Sequence, residues 1–231
     1  MRNMDHNESD RLQLVETIRK DHLHKGYLTH MFPAFNGTGV WVGQSTLRPD
    51  RSFSSKYLTT FLLSRAALIQ GRDCIDIGCG SGVQAVALAQ SGAGTVDAVD
   101  ISVFALESTH RNKKLHNLGD VLSIHHADLF TFNDIRTYDI IVFNHPFYHM
   151  NSDLSDPIST AIMDNGSTLE RFFKELKNHL RPSGRLIMPF SYICGHENDP
   201  KPYAFKTELR TIESLRIRDN NGSHVIYEFG L

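Results

Sequence analysis

From Asp73 onward, short apolar runs alternate along the chain with stretches of helical periodicity. The apolar runs predict β-strands near residues 73–77, 95–99, 121–126, 138–143 and 184–190. The stretches between them predict helices near residues 82–91, 102–117 and 168–180. Strands and helices that alternate in this way form a largely parallel sheet with helices packed on its faces.

The last part of the chain predicts a different kind of pairing. The helix near 168–180 opens with Ser167 and Glu170 at capping-box spacing and ends before Pro182. Beyond the fifth strand, residues 212–218 and 224–229 read as two further strands joined by a hairpin loop over residues 219–222. These strands complete a seven-stranded sheet. We therefore predict an α/β fold, a Rossmann-like three-layer αβα sandwich whose mostly parallel sheet ends in a C-terminal antiparallel hairpin.

The first 71 residues lack this alternation. Ser9 to Lys25 has helical spacing and stops at Gly26, and residues 27–53 suggest loops around a strand or hairpin at Val40–Val42. A second helix, capped by Ser54 or Ser55, runs to Gly71. We expect residues 1–71 to be a helical and loop extension that covers the active site, and residues 72–231 to form the main domain.

Composition narrows the classes of protein. With 40% hydrophobic and 22% charged residues among 231, the chain matches an ordinary globular protein. A formal charge of -2 provides no global attraction to a phosphate backbone, so nucleic acid has no support from charge. The three cysteines lack disulfide-scaffold or metal-site spacing, and we predict no metal. The polar N-terminus and the lack of a long apolar run predict a cytoplasmic protein without a membrane span.

The most informative stretch is the glycine loop Asp76-Ile77-Gly78-Cys79-Gly80-Ser81-Gly82, where a predicted buried strand passes into a helix. Ligands of α/β sheets bind at such strand ends, and glycines let the backbone approach them closely. Counted from Gly78, the third glycine of a dinucleotide fingerprint would fall at Val83. The spacing therefore argues against a nicotinamide cofactor.

Three carboxylates follow successive strands around this loop. Asp76 would repel a pyrophosphate but suits a cofactor with an ammonium group, such as the methionine end of S-adenosylmethionine. Asp100 lies about twenty residues further on, where an acid can accept the ribose hydroxyls. Asp128 follows the third strand and could accept the adenine amino group. With Gly78 and Gly80, and with the adjacent Cys79, Ile101 and Leu129, they form the predicted cofactor-binding set.

This pattern resembles class I S-adenosylmethionine-dependent methyltransferases over roughly residues 72–190. After the fourth strand, Asn144-His145-Pro146-Phe147 resembles the Asn-Pro-Pro-Tyr/Phe motif of the members that methylate planar nitrogens. The resemblance implies that Asn144 and a backbone carbonyl accept the N–H hydrogens while Phe147 stacks on the planar group. We predict Asn144, His145, Pro146 and Phe147 as the catalytic set, and Asn144 also as a cofactor contact.

This sequence departs from the motif at His145, where the family has proline. Pro146 still biases His145 toward an extended backbone that presents its carbonyl, so the backbone role can survive. Histidine could instead act as a general base with a pKa near neutrality. A bystander role is the third interpretation of this residue.

Asp164-Asn165-Gly166 and Leu180 to Arg185 make the chain similar to the small release-factor glutamine N-methyltransferases. That resemblance implies transfer to an amide or guanidine-like nitrogen of a protein or small metabolite. Two alternatives stay open: an RNA or DNA base as acceptor, and a non-catalytic partner subunit whose motif has decayed at His145. The sequence does not specify the oligomeric state.

Overall fold

The computed structural model describes residues 8–22, 24–32, 35, 37–133, 135–220 and 222–231. In chain order its strands are β1 (Tyr27–Thr29), β2 (Val40–Val42), β3 (Asp73–Ile77), β4 (Thr95–Asp100), β5 (Leu122–His126), β6 (Tyr138–Phe143), β7 (Leu180–Ser191), β8 (Arg210–Asp219) and β9 (Gly222–Gly230). Its α-helices are α1 (Glu8–Asp21), α2 (Phe53–Ser64), α3 (Ala66–Ile69), α4 (Val83–Gln90), α5 (Val103–Leu115), α6 (Pro157–Ile162), α7 (Ser167–His179) and α8 (Pro200–Lys206). Within these residues, no helix is long and apolar enough to cross a membrane.

Seven of the strands form one sheet in the order β5-β4-β3-β6-β7-β9-β8. The strands from β3 to β7 pair in parallel, and β9 is antiparallel to both β7 and β8. This arrangement confirms the predicted fold class, including the C-terminal hairpin. Asp219 pairs with Gly222 across the hairpin turn, while Asn221 of the predicted loop lies outside the described residues.

Helices cover both faces of this sheet. One apolar cluster joins the sheet to α1, α6, α7 and α8 through residues such as Val15, Ile158 and Phe172. The cluster on the opposite face joins it to α2, α3, α4 and α5 through residues such as Leu62 and Val86. Parallel strands buried on both sides read as continuous apolar runs, which explains why these segments were recognisable in the sequence.

Helix α7 has the predicted apolar stripe but a different start. Leu169, Phe172, Phe173 and Leu176 are buried as its spacing predicts. The predicted cap at Ser167 is wrong because that residue already lies in the helix, after Gly166 in a left-handed conformation. The carboxylate of Asp164 instead accepts the free N–H groups of Thr168 and Leu169 at 3.1 and 3.4 Å.

The helices of the N-terminal region are shorter than the sequence suggests. Helix α1 ends at Asp21 rather than near Gly26, and β1 and β2 form the expected small antiparallel hairpin. Helix α2 is capped by Ser52, which accepts the N–H of Ser55 at 3.3 Å, so the predicted caps lie inside the helix. The predicted helix up to Gly71 breaks at Arg65 into α2 and α3.

Candidate active site

Two cavities lie at the carboxyl ends of the parallel strands, where ligands of open α/β sheets bind. The larger measures about 610 Å³ and the smaller about 270 Å³. Both are lined by Asn144, which directly follows β6. The end of this strand is therefore the place where the two cavities meet.

The larger cavity collects most of the predicted cofactor-binding residues. The glycine loop after β3, the end of β4 and the turn after β5 each contribute to one wall because these strands are neighbours in the sheet. Pro146 and Asn144 contribute from the adjacent β6. The predicted residues that line this cavity are Gly78, Cys79, Gly80, Asp100, Ile101, Asp128, Leu129 and Asn144.

Asp76 does not line the cavity. Its side chain is buried, and its carboxylate accepts the N–H of Ala85, in the first turn of α4, at 3.0 Å. The residue before α4 is Gly82, which has no side chain to cap the helix. Asp76 supplies that acceptor, and burial raises the pKa of its carboxyl group well above the usual value. The structure thus places Asp76 beneath the loop as a support for its helix.

The third glycine of the loop is required by both conformation and space. Gly82 has φ of 78°, a left-handed value that residues with side chains rarely adopt. A Cβ atom at this position would lie 2.8 Å from the Thr109 side chain on α5. The loop is therefore pressed against α5 as closely as its backbone permits.

Asp100 closes the glycine loop against the end of β4. Its carboxylate oxygens accept the N–H groups of Gly80 at 2.9 Å and Ser102 at 2.8 Å. Burial raises the pKa of this carboxyl group, while the two N–H donors act in the opposite direction. Each oxygen can accept a further hydrogen bond from a ligand hydroxyl, since an ionised carboxylate offers about four lone-pair sites.

Asp128 has a partner that the sequence did not indicate. Arg171 of α7 donates to both carboxylate oxygens of Asp128, at 2.5 and 3.3 Å, and this ion pair raises the pKa of the guanidinium group. Both residues line the larger cavity. Their separation in the sequence leaves no local pattern that could have predicted the pair. The acid predicted to contact adenine is therefore already oriented by an arginine.

A buried asparagine fastens the N-terminal hairpin to the glycine loop. The Asn112 side chain on α5 accepts the N–H of Trp41 at 2.7 Å and donates to the carbonyl of Trp41 at 2.7 Å. It also donates to the carbonyl of Ser81 at 2.8 Å. One fully buried amide thus couples β2 with the loop that borders the larger cavity.

At the junction of the cavities, Asn144 has an oriented side chain. Its amide nitrogen donates to the hydroxyl of Ser55 on α2 at 3.4 Å. Among the described residues no donor reaches the amide oxygen of Asn144, so this oxygen can accept a hydrogen bond from a group held between the two cavities. Ser55 is a second residue that no motif in the sequence pointed to.

The smaller cavity has two predicted residues, His145 and Phe147, on its wall beside Asn144. The opposite wall comes from the N-terminal region, with Ile18 and His22 at the end of α1 and Phe53 at the start of α2. The rings of Phe53 and Phe147 are stacked at an angle of 29°, with centroids 6.2 Å apart. Residues 17–22 and 47–54 therefore complete a pocket whose surface is mostly apolar but which also includes the charged residues Asp21 and Arg51.

The surroundings of the His145 ring determine whether it can act as a base. The ring is 2% exposed, lies among Phe143, Phe147 and Phe190, and its Nε2 lies 2.9 Å from the carbonyl oxygen of Asn198. Burial lowers the pKa of this imidazole to about 4, against the opposing effect of nearby carbonyls. A ring with this pKa is neutral at pH 7 and a weak base, which argues against the general-base interpretation.

The described part of the chain contains no group of side chains that could bind a metal ion. There, no three His, Cys, Asp or Glu side chains converge closely enough to hold an ion. The cysteines Cys74, Cys79 and Cys194 are all buried.

The strand order, the glycine loop and the strand-end acids together define a Rossmann-like methyltransferase. The model of the methyltransferase small domain family matches residues 53–216. The chain belongs to this family and is an S-adenosylmethionine-dependent methyltransferase.

The names of the relatives indicate different methyl acceptors. A Methanocaldococcus jannaschii protein, provisionally named a protein N5-glutamine methyltransferase, is 31% identical over 64% of this chain and 78% of its own length. A ribosomal protein uL3 glutamine methyltransferase of Bradyrhizobium diazoefficiens is 32% identical over 49% of this chain and 39% of its own. A tRNA1(Val) (adenine(37)-N6)-methyltransferase of Christiangramia forsetii is 34% identical over 51% of this chain and 52% of its own. The chain thus spans about half or less of the latter two proteins.

Solved structures repeat the fold. One methyltransferase-fold protein, crystallised with S-adenosylhomocysteine, superimposes with a TM-score of 0.68 over 90% of this chain and 56% of its own, at 12% identity. At that identity the likeness extends to the fold alone.

Proposed function

We propose that this enzyme transfers a methyl group from S-adenosylmethionine to a planar nitrogen, with a side-chain amide of a protein or a small amide or guanidine-like metabolite as the leading acceptor. The observation that carries the proposal is the position of Asn144 between the two cavities, one of which suits the cofactor and the other the acceptor. The region formed by residues 17–22 and 47–54 would then cover the acceptor side of the active site.

The larger cavity fits an adenosyl cofactor. Its volume of about 610 Å³ lies within the range of roughly 300–1,000 Å³ that is common for ligand pockets. Asp100 would accept the ribose hydroxyls, and Asp128 the adenine amino group. Gly80 borders the cavity with open space around its Cα, so the backbone can approach a ligand closely. Asp76 would act on the cofactor only at a distance, through the loop that it supports.

The acceptor residues would act by alignment. S-adenosylmethionine, when bound, would supply the methyl group with its sulfur as the leaving group, and the acceptor nitrogen would supply the lone pair for the new bond. The Asn144 amide oxygen would accept an N–H of the planar nitrogen, which localises its lone pair toward the methyl group. The nitrogen sheds a proton after transfer, so no strong base is needed. Phe147 would pack against the planar group.

The size of the smaller cavity favours an amide over a nucleoside. Its volume of about 270 Å³ is just below the range of ordinary ligand pockets, and its walls are mainly aromatic and apolar. A single planar side chain is a better match to this space than a base with its sugar and phosphate. The formal charge of -2 agrees with a non-nucleic-acid acceptor.

A nucleic-acid base is the second candidate, because the Christiangramia relative is named as a tRNA adenine N6-methyltransferase. The two are separated by incubating the protein and S-adenosylmethionine with a glutamine peptide and its glutamate twin, and with an adenine-containing RNA and its inosine twin. We expect a mass increase of one methyl group on the glutamine peptide alone. Methylation of the adenine RNA alone would overturn the leading acceptor. No methylation of any acceptor by protein that binds S-adenosylhomocysteine would favour a non-catalytic subunit.

A further inference from the structure

One fully buried polar side chain, Asn198, lies outside every motif of the sequence, on the segment between β7 and α8. Its side-chain nitrogen donates to the carbonyls of Asp164 at 2.7 Å and Pro146 at 3.4 Å. Its side-chain oxygen lies 3.0 Å from Nδ1 of His149. Its main-chain carbonyl lies 2.9 Å from Nε2 of His145. Asn198 thus contacts two consecutive residues of the Asn144–Phe147 turn.

The contact with Asn198 fixes the tautomer of His145. A carbonyl oxygen can only accept, so Nε2 of His145 must carry the hydrogen and donate it. In a neutral ring Nδ1 then has a lone pair, and this buried atom makes no hydrogen bond within the described residues, although the carbonyl of Phe143 also lies near the ring. The side chain that replaces the family's proline is therefore used as a hydrogen-bond donor to the protein itself.

The same contacts occupy one carbonyl of the turn. The carbonyl of Pro146 accepts from the Asn198 amide, and just beyond the turn the carbonyl of Tyr148 accepts the N–H of Asp164 at 2.9 Å. Among the residues that the structure describes, no donor reaches the main-chain oxygens of Asn144, His145 and Phe147. The oxygen of His145, which directly follows Asn144, is the candidate acceptor for a second N–H of the substrate.

We propose that Asn198 and His145 are positioning residues that hold the Asn144–Phe147 turn so that the Asn144 amide oxygen and the His145 carbonyl both face the acceptor nitrogen. This inference rests on the proposed function, because it assigns those two oxygens to a planar nitrogen. Proline at position 145 would restrain the backbone through its ring. In this chain, the hydrogen bond from His145 to Asn198 would provide that restraint instead.

The variants His145→Gln and His145→Ala separate positioning from base catalysis. Glutamine keeps an N–H donor that can reach the Asn198 carbonyl but has no basic nitrogen, so we expect kcat to stay within about threefold of wild type. Alanine removes the donor, and kcat should fall by about tenfold or more with KM and S-adenosylhomocysteine affinity nearly unchanged. Asn198→Ala keeps the main-chain carbonyl that faces His145 but removes the side-chain donor to Pro146 and Asp164, so it should also lower kcat, by loosening the other side of the same turn. His110→Gln, on the exposed face of α5, is the matched control.

A loss of about 100-fold or more in His145→Gln would overturn the proposal in favour of a general base. A second readout does not depend on turnover: nitrogen-15 NMR of the imidazoles, with His145 assigned from the signal missing in His145→Gln. We expect a neutral ring with its proton on Nε2 from pH 7 down to pH 5. A proton on Nδ1, or titration near pH 6.5, would overturn the proposal even if no acceptor is methylated. If the protein gives the predicted spectrum but methylates none of the acceptors, the result would count against the proposed function and not against the positioning role of His145.

Discussion

The two cavities are built in different ways. The larger one takes much of its wall from the ends of four neighbouring parallel strands, β5, β4, β3 and β6, so many of its polar groups are fixed by the sheet, although segments 45–47 and 151–171 also line it. The smaller one is assembled from the end of α1, the start of α2 and the turn after β6. The first kind of site follows from the fold, whereas the second depends on how distant segments pack in this particular chain. Acceptor choice should therefore be altered by changes in residues 17–22 and 47–54 that leave the cofactor in place.

The variant Asn144→Ala is the strongest test of whether the cofactor cavity and the acceptor cavity have separate roles. Loss of the side-chain oxygen should lower the methylation rate by about 100- to 1,000-fold, the usual effect of removing one polar group that stabilises a transition state. S-adenosylhomocysteine affinity should fall far less than the rate, which calorimetry can check, because Asn144 is one cofactor contact among several and the strand-end acids are untouched. Asn165→Ala, an exposed asparagine at the edge of the larger cavity, is the control. Equal loss of cofactor affinity and rate would show that the two halves are not separable at Asn144.

The acceptor side should also respond to pH through its buried histidines. Burial lowers the pKa of His145 and of His22 from 6.5 to about 4, so the unfolded chain binds more protons between those values. Stability is therefore lost as pH falls from about 6.5 to 4, by at most about 3 kcal/mol for each histidine. Urea unfolding at several pH values measures it. The unfolding free energy should depend less on pH in His145→Gln than in wild type, and as much as in wild type in His110→Gln. The same pH dependence in both variants would contradict the lowered pKa of His145.

The link between the N-terminal hairpin and the glycine loop can be tested at Asn112. Asn112→Ala leaves backbone groups of Trp41 and Ser81 without their buried partner, and should cost about 2 kcal/mol of unfolding free energy. S-adenosylhomocysteine should also bind more weakly, because the loop loses this support. Lys114→Ala, exposed on the same helix, should change neither quantity. An Asn112→Ala protein with unchanged stability would rule out the tether.

Arg171→Met should have the smallest effect. Its ion pair with Asp128 is partly solvent-exposed, with 49% and 38% of the two side chains accessible, so water and salt screen it. We expect a loss of about two- to fivefold in S-adenosylhomocysteine affinity, measured by calorimetry, because Asp128 is less well oriented. Lys174→Met on the same helix serves as the control. A tighter complex in Arg171→Met would mean that the arginine competes with the adenine for Asp128.

The sequence predicted the strands, their largely parallel pairing and, apart from Asp76, a set of residues that all line the larger cavity. These features follow from short-range signals: an apolar run, a glycine spacing and an acid at a strand end. Asn198, Ser55 and Arg171 could not be found in this way, because each meets its partner across long stretches of chain. The contact of Asp76 with Ala85 was missed for a related reason, since the sequence does not show toward which side of the loop a carboxylate turns.

The most direct test of the account is a calorimetric titration of S-adenosylhomocysteine into wild-type protein and Asp100→Ala, with nicotinamide dinucleotide titrated in parallel. The account predicts micromolar binding of S-adenosylhomocysteine to wild type and no detectable binding of the dinucleotide. It also predicts a loss of about 30-fold or more in Asp100→Ala, since a charged acceptor of two hydroxyls is removed. Absence of S-adenosylhomocysteine binding to wild type, or equal affinity in Asp100→Ala, would contradict it.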